Sequence, residues 1–184
     1  ENDDIQSGIL RDSRIVHFTL PATGTYYIDV TTWSPTSDAT GTYNIHLFGC
    51  GSYEPGPTCN LDVDGDGVVD GNDALLATRR MLGLAGVALT DNMSFASCAS
   101  RSAPTAIATF VDAQMNTSNL PMALDIDGDD KVLPLTDGLI FLRAMLGLPG
   151  TAVVNGATAP GGTRTSWTNV RSYLNTSCGL TLPP

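Results

Sequence analysis

At 184 residues the chain can bury one good core or two small ones. Its formal net charge of −10 argues against nucleic acid or an anionic membrane as a partner, since both demand basic patches. No apolar run reaches the ~18 residues that would mark a membrane helix, so no span is predicted. Only 15% of residues are charged, while Gly, Ser and Thr are plentiful, which suits an extracellular protein better than a cytosolic one.

Residues 1–13 are polar and acidic with a short apolar patch at Ile9 and Leu10, and Glu1 reads as a processed end. Three alternating segments follow: Val16, Phe18 and Leu20; Tyr26, Ile28 and Val30; Tyr43, Ile45 and Leu47. Period two with Thr, Tyr and Val enrichment predicts half-buried antiparallel strands, so residues 1–49 form a small β segment. Residues 50–58, rich in Gly and Pro, are expected to link it to residues 59–184. The expected fold class is therefore α+β.

The second part opens on Asp62-Val63-Asp64-Gly65-Asp66-Gly67-Val68-Val69-Asp70-Gly71-Asn72-Asp73. Its acids stand at loop positions 1, 3, 5, 9 and 12, with glycine at position 6, the ligand order of an EF-hand calcium loop. Calcium is a hard cation that takes six to eight oxygens, and alternate residues of a tight loop can all turn inward. Asp62, Asp64, Asp66 and Asp73 would supply side-chain oxygens, Val68 its carbonyl, and Asp70 an oxygen directly or through water. A helix over 71–82 should follow, stopped by Gly83, and then a second helix over 103–115 with Pro104 in its first turn.

At an offset of 63 residues the pattern returns, Leu124 to Val132 repeating Leu61 to Val69. Asp125, Asp127 and Asp129 hold positions 1, 3 and 5, and Lys131 offers its carbonyl. Asp130 replaces the glycine, Leu133 takes the place of Asp70, and one inserted residue puts the closing acid at Asp137. Helices are expected over 137–146 and 166–175. Each loop helix ends alike, Arg79 to Leu84 and Arg143 to Leu148. Ser100-Arg101-Ser102 matches Thr163-Arg164-Thr165. The units are 59–118 and 122–178, and Val69 and Val132 should pair as a short β-bridge between the loops.

A calcium loop followed by one helix, with Pro55, Pro57 and Pro121 discouraging a helix before it, resembles the half-hand of a dockerin. The resemblance covers residues 61–84 and 124–148 and implies two Ca²⁺ sites in a secreted bacterial protein that attaches to another protein. The unit is longer than a dockerin repeat, and loop positions 10 and 11 hold Gly71 and Asn72 where cohesin-binding dockerins often carry hydroxyl residues. Phe18 to Tyr26 resembles the later strands of the pre-peptidase C-terminal domain, a small β-sandwich behind secreted bacterial peptidases. A sandwich needs more strands than this chain supplies, so the chain is a fragment or another chain completes the sheet.

Four cysteines without metal spacing point to disulfides and an oxidising compartment. If the units pack about a pseudo-twofold axis, Cys59 comes near Cys178, because their equivalents Met122 and Met115 are close along the chain. That leaves Cys50 with Cys98; the rival is a local Cys50–Cys59 bridge. His17 and His46 fall in predicted strands, and no nucleophile, metalloprotease or phosphate motif appears, so no enzyme is expected. The second loop helix is apolar nearly all round, which makes Phe141 and Leu142 either core or a partner-binding face. The functional expectation is a non-catalytic, extracellular calcium-binding protein that works by association, as a dockerin-like attachment module of a larger secreted protein. The alternative is a filament or surface-layer subunit joined to copies of itself by strand donation from residues 3–10 or 14–20.

Overall fold

The computed structural model describes residues 50–116 and 122–184. The chain divides into two compact bodies between Phe48 and Gly49, and the described residues, which hold both repeat units, belong to the second. They form six α-helices: α1 (Gly71–Met81), α2 (Val87–Thr90), α3 (Pro104–Gln114), α4 (Leu139–Met145), α5 (Thr151–Val154) and α6 (Trp167–Thr176). A π-helical turn, Pro134–Gly138, leads into α4.

The α+β expectation is corrected: the described residues carry helices and no strand. The predicted strands at 16–20, 26–30 and 43–47, and both candidate donor segments, lie outside the described residues. The expected bridge between Val69 and Val132 is also not formed. At the next position of each loop the backbone donor turns inward, Asp70 N–H to Asp73 Oδ2 and Leu133 N–H to Asp137 Oδ2, both at 2.8 Å.

Local chemistry explains where α1 begins and ends. Asp70 accepts from the Asn72 N–H at 2.7 Å while Asp73 reaches back to the Asp70 N–H, a capping box at the mouth of the helix. At the other end Gly83 takes φ +84°, and its N–H and that of Leu84 return to the Arg80 and Arg79 carbonyls. Gly147 and Leu148 end α4 in the same way, onto Ala144 and Arg143. Arg79 and Arg143 then repeat each other, donating to Leu89 and Asp91 carbonyls in one unit and to Val153 and Asn155 carbonyls in the other.

The loop helices run antiparallel. Gly71 at the start of α1 faces Leu146 after α4, and Gly138 just before α4 faces Thr78 and Met81. A Cβ at Gly138 would lie 3.0 Å from Met81 Sδ and from Thr78 Oγ1, so this crossing favours the smallest residue. Leu61, Leu76, Ile107, Leu124, Ile140, Phe141 and Leu174 fill one core drawn from both units. Phe141 is fully buried there and Leu142 packs half-buried against that core, so Phe141 takes the core side of the two readings. Ala74 and Ala77 of α1 are fully buried in the same core.

Both bridges pair as the symmetry argument expects, Cys50 with Cys98 and Cys59 with Cys178. The expected linker turns out to be part of this unit. Gly51 N–H donates to Asp66 O at 3.0 Å and Tyr53 N–H to Gly67 O at 2.7 Å, and the Tyr53 hydroxyl reaches Cys178 O. Residues 50–58 thus strap the first loop to the end of the second unit.

Candidate metal centres

Two acidic clusters form where the loops were read. Carboxylate oxygens of Asp62, Asp64 and Asp66 lie within 4.8 Å of one another, as do those of Asp125, Asp127 and Asp137. All six residues are buried. Three buried acids at such separations repel unless protons or a cation intervene.

The first loop is built by its own carboxylates. Asp62 Oδ1 accepts from the N–H groups of Gly65 and Asp66, and its Oδ2 from Gly67. Gly65 and Gly67 both take positive φ, which lets three successive donors turn toward one side chain. Asp73 Oδ1 accepts from Val63 and Asp64, so the closing acid staples the start of the loop to α1. Val68 enters through its N–H, which donates to Asp66 Oδ1 at 2.8 Å. Asp70, read as a ligand, caps α1.

The second loop reproduces this scheme with one more residue. Asp125 accepts from Gly128, Asp129 and Asp130, and Asp137 Oδ1 from Ile126 and Asp127. Asp130 sits at φ +63° where the first loop has Gly67 at +84°. In the first unit Ala74 N–H returns to Asp70 O, four residues back; in the second Gly138 N–H returns to Leu133 O, five back. The inserted residue is thus absorbed as a π turn, and Asp137 still reaches the place of Asp73. Asp129 stays at the edge, accepting from Lys131 N–H at 3.0 Å.

Burial dominates the titration of these acids. It pushes Asp73 up to about 8, Asp64 to about 7 and Asp137 to about 6, with neighbouring carboxylates adding to each rise. Asp66 and Asp127 are raised for the same first cause. One atom tests whether a cation fits. Asp127 is fully buried; its Oδ2 accepts from Ala159 N–H at 2.6 Å, while its Oδ1 has no hydrogen-bond partner. A buried carboxylate oxygen without a donor is costly, and a cation among the Asp125, Asp127 and Asp137 oxygens supplies the missing partner.

Comparison with protein-family models, curated proteins and solved structures finds no match. The repeat within the chain is then the best guide to which residues matter. It singles out two that no ligand pattern marks, Arg101 and Arg164. Each sends its guanidinium to the carbonyls of loop positions 1 and 2, Asp62 and Val63 or Asp125 and Ile126. Each also lies over a ring, Phe110 at 4.0 Å and Tyr173 at 4.2 Å. The only trace in the sequence was the match of Ser100-Arg101-Ser102 with Thr163-Arg164-Thr165. Both disulfides suit an oxidising setting, and no helix among the described residues is long and apolar enough to cross a membrane.

Proposed function

We propose that this chain is a non-catalytic, extracellular calcium-binding protein that acts by association, in the manner of a dockerin-like attachment module. The observation that carries the reading is the duplicated acidic loop, together with the unpartnered, buried Asp127 Oδ1. An all-oxygen set of carboxylates is chemistry for a hard cation, and calcium outside cells is abundant enough to fill such sites. Asp62, Asp64 and Asp66 with Asp70 and Asp73 hold the first ion, and Asp125, Asp127 and Asp137 with Asp129 the second. The disulfides support secretion.

The association half rests on what the fold leaves outside. With Phe141 in the core, Leu82 and Leu146 stand at equivalent places after α1 and α4 and are 57% and 53% exposed. Antiparallel helices put these two leucines at opposite ends of one helical pair, which suits a partner approached in either of two orientations. Native mass spectrometry in calcium should find two ions per chain, and a mixed-partner pull-down followed by light scattering should show complexes that chelator dissolves. No bound calcium, or complexes indifferent to chelator, would contradict the reading.

A further inference from the structure

Each unit repeats a contact that the acidic loops alone do not require. Arg101 Nε donates to Val63 O at 2.7 Å and its Nη2 to Asp62 O, while its backbone N–H donates to Asp64 O at 2.8 Å. Arg164 makes the same three bonds: Nε to Ile126 O at 2.8 Å, Nη2 to Asp125 O, and N–H to Asp127 O at 2.8 Å. One residue therefore holds the carbonyls of loop positions 1, 2 and 3. The guanidinium is in turn backed by a ring of the last helix of its unit, Phe110 of α3 or Tyr173 of α6. The nearest approach to a carboxylate is Arg164 Nη2 to Asp125 Oδ1 at 3.8 Å, outside hydrogen-bond range. The arginines grip the loop backbone and leave the carboxylates for something else.

We infer that Arg101 and Arg164 are positioning residues for the two metal loops, each serving its own loop and tying that loop's occupancy to α3 or α6. This rests on the calcium reading above. Two physical effects oppose each other at such a place. A fixed positive charge behind the cluster repels an arriving cation. Holding three successive peptides in place removes ordering that the ion would otherwise have to impose. The geometry favours the second effect, because the fork is directed at neutral carbonyls and the charge is spread over a stacked guanidinium. The two effects also predict opposite signs when the arginine is changed. Lysine separates them, since it keeps the charge and loses the planar fork and the stack.

The experiment is calcium calorimetry on the full chain and on the Arg101→Lys and Arg164→Lys variants, with hydrogen exchange of α3 and α6 in calcium alongside. Arg101→Lys should weaken the first site roughly tenfold, the low end for losing an outer partner of a metal ligand, and leave the second unchanged. Exchange should rise in α3 and not in α6. Arg164→Lys should do the reverse. Phe110→Leu keeps the fork and removes its backing, so it should weaken the first site by less, and it covers the case in which a lysine variant fails to fold. Equal weakening of both sites in either variant would reduce the arginines to general stabilisers and overturn the inference. Unchanged or tighter binding would overturn it too. Wild-type protein that takes up no calcium would instead overturn the calcium reading itself, and the inference with it.

Discussion

The two acidic loops are one design executed at two lengths, and the difference shows what the design cannot give up. The first closes with a four-residue step from Asp70 and the second with a five-residue step from Leu133, yet Asp73 and Asp137 make the same three backbone contacts. The second loop tolerates aspartate at a positive φ, a leucine at position 9 and an inserted residue. It keeps the acids at positions 1, 3 and 5, the closing acid and the arginine behind them. What survives is the set that fixes the loop backbone. What varies is the set that tunes how well a cation is surrounded, so the first site should be the tighter one.

The largest effect should come from removing the ion. Chelation exposes both clusters to their own repulsion, and a site held at a thousandfold over its Kd loses about 4 kcal/mol of linked stability. Thermal unfolding followed by circular dichroism should show a lower midpoint in chelator, and an unchanged midpoint would contradict the coupling. Next in size is an attempt to erase the difference between the loops. Deleting Leu135, which is 74% exposed in the π turn, together with Leu133→Asp gives the second loop the length and the acid of the first. Its affinity by calorimetry should rise about tenfold, worth ~1.4 kcal/mol.

The pH response should separate the loops more subtly. A carboxyl whose pKa is raised by folding binds an extra proton in the folded state, so stability falls as pH climbs from the unfolded to the folded value. In chelated protein that window runs from 3.8 to about 8 for Asp73 and from 3.8 to about 6 for Asp137. The ion competes with these same protons. At pH 7 calcium should therefore displace more protons from the first loop than from the second. Titrations in buffers of different ionisation heat would show this, and equal release from both would contradict it. The smallest effect concerns the Arg80–Asp112 pair, 2.7 Å apart and partly exposed, whose places in the second unit are taken by Ala144 and Asn175. Asp112→Asn should change urea unfolding by less than about 1 kcal/mol, the ceiling for an exposed pair.

Spacing made part of this legible. The acid positions were readable because alternate ligands impose a fixed order, and the disulfides because a repeat implies an axis and an axis implies neighbours. Other features left weaker marks. Arg101 acts on backbone carbonyls 38 and 39 residues away, a contact that selects no particular side chain at its other end. The π turn showed only as an inserted residue that moves the closing acid to Asp137. The helix carrying Phe141 is apolar nearly all round, so its sequence leaves core and partner-binding face both open; the full burial of Phe141 places that ring in the core. Glycine and proline at 50–58 looked like a linker, while Cys50 and Tyr53 within the same stretch tie it to the helical unit.

Two unequal calcium sites, one built by each loop, are what the two clusters should form. Calorimetric titration of the chelated chain beside Asp62→Ala and Asp125→Ala tests this most directly. Wild type should bind two ions, Asp62→Ala should retain only the weaker and Asp125→Ala only the tighter. The same stoichiometry in all three proteins would contradict the account.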